Sequence, residues 1–299
     1  GGHSCLPRGR QERLPHLGFD GTAEHSSPVT VMSESYCVVP RGELSVPIPV
    51  ASRALAQATG RVAFDVTREI RERVGILASE LTEAQAGRAV AALSQAGVKT
   101  FALPEGGLVR FPDPAFLETA RLGERALEVS DLRDADSRRI GAVNVPYKDI
   151  VLLATAHVRT ETEKRIIEDA ASLEATPSTM MPPAGFPISD ALGRVVRHEK
   201  HAEYDHYLDV LAVEPAHHLR LPASTFNFVQ TGLKMQPTSL GNLCQFIKAL
   251  GPRCTQAYID PSVLHVMDGS PQTNLKLNSV EQYDAYLLWR VQLLYHPER

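Results

Sequence analysis

The chain has 299 residues, enough for about two cores of ordinary domain size. Its apolar share of 43% and charged share of 22% match those of globular chains, which excludes disorder as the dominant state. A net charge of −4 gives no general attraction to nucleic acid or anionic lipid, and no apolar run approaches the length of a bilayer span.

The four cysteines (Cys5, Cys37, Cys244 and Cys254) form no C-x-x-C pair. Reduced, structural thiols are therefore expected, with no disulfide framework. The N-terminus lacks the basic-then-apolar pattern of a signal peptide, and the expected compartment is the cytoplasm. Residues 1–43, rich in Gly, Pro, Ser, His and charge without periodicity, read as a flexible arm. Met32-Ser33-Glu34-Ser35 would make an ordinary start, so some or all of residues 1–31 are expected to be an upstream extension or an artificial addition.

A compact pattern spans 44–104. Leu44, Val46, Ile48 and Val50 alternate around Pro47 and Pro49, which predicts an edge strand. Ser52–Ala58 suits a short helix stopped at Thr59-Gly60. Val62, Val66, Ile70 and Val74 then recur every fourth residue, as one stripe of a second helix. Its other side mixes Arg68, Arg71 and Arg73 with Asp65, Glu69 and Glu72, which reads as a solvated, self-neutralising face. Thr82 and Gln85 form a capping-box pattern for a third helix bearing Ala86, Val90 and Leu93, with Gly97 as its stop. An expected strand at Gly75–Ser79 and one at Val98–Leu103 complete the order strand, two helices, strand, helix, strand.

The Ala58-Thr59-Gly60 helix end, the stripe beyond it, and the run Ile76–Leu103 resemble the C-terminal domain of ribosomal protein L7/L12, a fold shared with the adaptor ClpS. The resemblance implies a small α/β module. The lysine-rich factor-binding helix of that ribosomal domain is replaced here by mixed arginine and acid, so no binding residues carry over.

Residues 105–117, with Pro104 just before them and Gly106, Gly107, Pro112 and Pro114 within, predict a linker. Short strand patterns follow at Leu122, Ala126–Val129, Ile140–Val145 and Ile150–Val158, and resume from about Val195, with a hairpin turn at Glu214-Pro215-Ala216. Thr238 caps a helix carrying Leu240, Leu243, Cys244, Ile247 and Leu250, ended by Gly251-Pro252. Several strands and one closing helix resemble a bacterial pleckstrin-homology-like fold over 118–251. The tail 252–299 holds a helix capped at Ser279, with Val280, Tyr283, Leu287, Val291 and Leu294 on one face and Trp289 on another. The expected class is α+β: an L7/L12- or ClpS-like module, then an antiparallel β-rich module with a closing helix and an extra C-terminal helix.

Common nucleotide, metalloprotease and hydrolase motifs are absent. Histidine density at His198, His201, His206, His217 and His218 suggests a metal. With the turn at Pro215, however, His206 lies about 30 Å along the hairpin from His217 at about 3.3 Å per residue. His201, Glu203 and Asp205 share a strand face, but in a row with steps of about 7 Å, too wide to hold one ion without a partner strand. No metal and no cofactor are expected. Asp134 and Asp136 read as a turn, and Cys37 as a structural thiol. The loop 171–193 carries Met180, Met181, Phe186 and Ile188 among prolines, an adaptable apolar surface for a protein partner or a cover for its own sheet. The expected function is a non-enzymatic interaction or scaffold role, set against an enzyme built near His198–His206 and a membrane-surface binder.

Overall fold

The computed structural model describes residues 34–42, 47–169, 194–268 and 275–297, with the side chains of 160–202 left aside. It is an α+β protein, and these described residues make one compact unit.

Strand β1 (Tyr36–Pro40) lies at the centre of a three-stranded antiparallel sheet, between β2 (Ala78–Leu81) and β3 (Thr100–Pro104). It corrects the reading of 1–43 as an arm over Tyr36–Pro40; residues 1–33 of that arm lie outside the described residues. Cys37 and Val39 enter one core while Val38 enters another, so the strand is buried on both faces and shows no alternation.

Helix α1 (Ile48–Thr59) replaces the edge strand expected at 44–50; of that stretch, residues 44–46 lie outside the described part. Pro47 sits at its N-cap and Pro49 in its first turn, where amides have no helical partner and proline costs no hydrogen bond. Gly60, at φ 74°, closes the helix by donating to Ala56 O at 2.9 Å.

Helix α2 (Ala63–Glu72) buries Val66 and Ile70, but Val62 is 65% exposed. A spacing of four drifts about 40° per step on a helix of 3.6 residues per turn, so the expected stripe winds off the core. Helix α3 (Glu83–Gln95) has its expected capping box: Gln85 N–H donates to Thr82 Oγ1 at 3.3 Å, and Thr82 N–H to Gln85 Oε1 at 3.0 Å. The element order is the expected one, with the first strand moved to 36–40.

The second sheet comprises β4 (Ala115–Leu122), β5 (Ala126–Arg133), β6 (Arg139–Pro146), β7 (Ile150–Asp169), β8 (Arg194–Val213), β9 (Ala216–Pro222), β10 (Tyr258–Ile259) and β11 (Lys276–Leu277). Its order is β10-β7-β8-β9-β4-β5-β6, with β11 also on β7. The hairpin turn at Glu214-Pro215 stands where expected, with Val213 opposite Ala216. The sheet is mixed, correcting the antiparallel expectation. β4 joins β9 in parallel, and the expected tail adds β10 and β11 in parallel along β7.

One face of this sheet carries α4 (Ser239–Leu250) and α5 (Pro261–Met267), packed on Leu153, Leu208, Val210 and Leu219. The other face meets α6 (Val280–Tyr295) through Leu152, Ala154, Ala156 and Val158. Cys37, Val39, Phe101 and Leu103 of the small sheet join the same cluster. Helix α6 is thus sandwiched between the sheets and buries Tyr283, Leu287, Trp289 and Val291 on several sides at once. The two expected modules share this core and do not stand apart. The expected linker is tied into it as well, because the buried Gln292 side chain donates to Val109 O at 2.8 Å and accepts from Val109 N–H at 3.1 Å. Among the described residues, no helix is long and apolar enough to cross a membrane.

Candidate functional site

Strand β2 ends the small sheet, and its outer edge has no strand partner among the described residues. Its pairing with β1 is irregular: Tyr36 opposes Leu81 and Val38 opposes Ala78, so Cys37 faces two residues in a bulge. Glu80, in that bulge, has a left-handed φ of 57°. Its amide turns to Glu105 Oε1 at 2.6 Å, while Glu105 Oε2 accepts from Ser35 Oγ at 2.9 Å.

Two concavities meet at this edge, sharing Arg73, Ser79 and Glu80. The first is a charged trough of about 370 Å³ between α2 and β2, lined by three arginines and four carboxylates. Glu69, whose side chain is 12% exposed, organises it. One of its oxygens lies 2.6 Å from Arg61 Nη2, and the other accepts from Ser79 Oγ at 3.0 Å and from Arg73 at 3.5 Å. Arg73 also donates to Ser79 Oγ. Arg68 pairs loosely with Asp65 at 3.7 Å. The self-neutralising face is built in part: Arg68 and Arg73 pair with Asp65 and Glu69, while the side chains of Arg71, Glu72 and, beside them, Glu80 make no hydrogen bond or ion pair among the described residues.

The second concavity is an apolar slot of about 260 Å³ between β1 and α6, walled by Cys37, Ile76, Leu108, Ala285 and Leu288 and rimmed by Glu80, Glu105 and Arg110. Burial pushes the Cys37 thiol up to about 11, aided by the Glu105 carboxylate. A thiol held protonated at neutral pH is a wall and not a nucleophile.

Two buried ionic groups anchor α6 to the large sheet. Arg220 Nε donates to Asp209 Oδ1 at 2.9 Å, and its Nη2 reaches Asp284 on α6 at 2.6 Å. His218 Nε2 lies 3.0 Å from the same Asp209 oxygen, with Nδ1 3.3 Å from Pro112 O. Burial pushes the Asp209 carboxyl up, but Arg220 and His218 outweigh it and hold the group below the ordinary carboxylate range. Arg220 Nη1 has no hydrogen bond; the guanidinium instead lies over Tyr283 at 5.0 Å and Tyr207 at 5.7 Å. In the second group, Asp260 accepts from Tyr286 at 2.8 Å and Ser262 Oγ at 2.6 Å, and pairs with Arg290 Nε at 2.7 Å. Neither group lines the two concavities.

The expected site residues fare as follows. Met180, Met181, Phe186 and Ile188, with the rest of 171–193, lie outside the described residues. So do the side chains of His198 and His201. On β8, His201, Glu203 and Asp205 stand opposite Thr162, Thr160 and Val158, so the partner strand supplies no imidazole or carboxylate beside them. Asp205 binds Ser224 through its N–H at 3.1 Å and its Oγ. His206 does not approach His217 or His218; it stacks on His157 with centroids 4.3 Å apart, and Tyr204 lies 4.9 Å from His157. Among the described residues no group of three His, Cys, Asp or Glu could hold a metal ion. Asp134 forms the expected turn, accepting from the amides of Asp136 at 3.0 Å and Arg138 at 2.8 Å.

Sequence reasoning missed the groove, because its walls come from α2, β1–β2 and α6. No local signal marked it, because residues 61–80 carry four arginines and four acids in balance. No protein-family model matches the chain, and no curated protein or solved structure matches it either.

Proposed function

We propose that the chain is a cytoplasmic, non-catalytic interaction protein that binds another protein at the outer edge of β2. One observation carries this reading. Among the described residues the edge is open between a charged trough and an apolar slot, and two carboxylates beside it are left without partners. Buried charges elsewhere are consumed in holding α6, which leaves them no substrate-facing role. The L7/L12- and ClpS-like reading of the small sheet is supported by its order of strand, two helices, strand, helix, strand. A membrane-surface role has less support. Among the described residues Arg121, Arg133, Arg138 and Arg139 of the β4–β6 region each lie within 4 Å of a carboxylate, which leaves Arg125 as the region's one arginine without an ion pair, too little charge to hold anionic lipid.

The test is affinity capture from the native cell with the full chain and with a Glu72→Lys/Glu80→Asn variant, followed by reconstitution with the purified partner. Retention by the first and loss by the second supports the reading. Identical partners for both proteins would remove the groove from the function.

A further inference from the structure

We infer that β2 accepts one more strand, an extended segment of a partner protein in which an apolar residue stands next to a basic one. The inference rests on the interaction reading above and names its partner chemistry.

An extended segment laid along an open sheet edge gains its hold from main-chain hydrogen bonds, and successive side chains point to opposite faces. At β2 those faces are unlike. The α6 side offers the apolar slot, with Cys37, Ile76 and Leu288 in its walls. The α2 side offers the charged trough with the unpartnered carboxylates of Glu72 and Glu80. Adjacent residues of an added strand therefore meet different chemistry, one an apolar slot and the other a trough whose carboxylates outnumber its arginines by one. The slot, at about 260 Å³, is smaller than the ~300–1,000 Å³ typical of drug-sized sites, and suits a single side chain.

The bulge at Glu80 also excludes a second copy of this chain as the occupant. Bulges guard edges against long, indiscriminate pairing, and β2 is four residues long. A second β2 would set Glu80 against the same carboxylates. A short basic–apolar segment has neither difficulty.

The experiment selects a displayed library of random octapeptides against the full chain. Adjacent apolar–basic pairs should be enriched. Selected peptides should slow amide exchange within 78–81 at residues other than Glu80, whose N–H Glu105 already holds. Methylating peptide backbone nitrogens of one parity should weaken binding about five-fold per site, the loss of one hydrogen bond, while the other parity is tolerated. Glu72→Lys with Glu80→Asn should weaken binding at least about three-fold. Exchange protection confined to other elements, equal tolerance of both methylation parities, or no enriched pattern would each overturn strand addition. If any of these occurs while the captured partner still depends on Glu72 and Glu80, strand addition falls and the interaction reading stands. If the partner is indifferent to both residues, the two fall together.

Discussion

Trp289 of α6 lies directly over Gly75, the residue at the turn between α2 and β2. A Cβ added to Gly75 would stand 2.5 Å from Trp289 Cγ and 2.7 Å from its Cδ2. Gly75 also has a φ of 89°, which side chains rarely adopt. The indole is held from its other end, since Nε1 donates to Pro40 O at 2.9 Å. The small sheet and α6 are therefore joined where backbone meets ring, with no space to relax. Gly75→Ala should cost about 3 kcal/mol, combining left-handed strain with overpacking. Urea unfolding followed by fluorescence reads this directly, because Trp289 is the sole tryptophan. A loss below about 0.5 kcal/mol would mean that α6 does not seat on this turn.

The buried pair Asp209–Arg220 makes a second prediction. Both side chains are fully buried, whereas Asp284 is 46% exposed. Asp209→Ala should cost about 3 kcal/mol, because it leaves a buried guanidinium with the half-exposed Asp284 as its one remaining carboxylate; Asp284→Ala should cost no more than about 1 kcal/mol. The pH dependence has a definite sign. The folded Asp209 carboxyl ionises below its ordinary value of 3.8, so its contribution is complete above that value and is lost as pH falls through the folded pKa. Denaturation followed from pH 5 downward should show an acid-side loss that is absent from Asp209→Asn.

Much of this architecture is legible in short stretches of sequence. Thr82 with Gln85, Thr238 with Gly241, and Ser279 with Gln282 mark helix starts through bonds spanning three residues. Such signals need no knowledge of the fold. Tyr36–Pro40 carries none, since a five-residue strand facing two cores looks like any apolar run. Pro47 and Pro49 suit an edge strand and a first helical turn equally, and packing of Ala51 and Leu55 decides for the helix. The groove depends on α6 meeting β1, elements more than two hundred residues apart, and no periodicity reports that. The histidines mislead for the same reason. His206 has His157 as its neighbour only through the β7–β8 register.

That His157–His206 stack predicts a loss of stability in mild acid. The rings are 4.3 Å apart and 7° from parallel. Burial, then the neighbouring imidazole, lowers the pKa of His206 from 6.5 to about 4. Burial and Lys276 also lower that of His157, against the pull of Asp205. Both rings are neutral in the folded state at pH 7, while the unfolded chain takes up protons from about pH 6.5 downward. Stability therefore falls as pH drops from about 6.5 toward 4. Because His206 remains partly solvated, screening limits the effect to about 1 kcal/mol between pH 7 and 5. Urea midpoints at the two pH values should differ more for the wild type than for His206→Gln. Equal slopes would show that the stack opens on protonation without cost.

Glu80 brings stability and binding into opposition at one residue. Its φ of 57° lies where asparagine is tolerated and longer side chains are strained. Its backbone N–H is held by Glu105, so a change of side chain leaves that bond in place. Glu80→Asn should therefore stabilise the fold by about 0.5–1 kcal/mol. The same change removes one of the two unpartnered carboxylates beside the strand edge and should weaken capture of a basic segment. Strain kept at a position where a better-fitting residue is available is expected where the side chain serves binding. Thermal unfolding and peptide anisotropy on the one variant separate the cases: a gain in Tm with a loss of affinity fits a binding role. A gain in Tm with affinity intact would leave Glu80 as an unrelieved defect of the bulge.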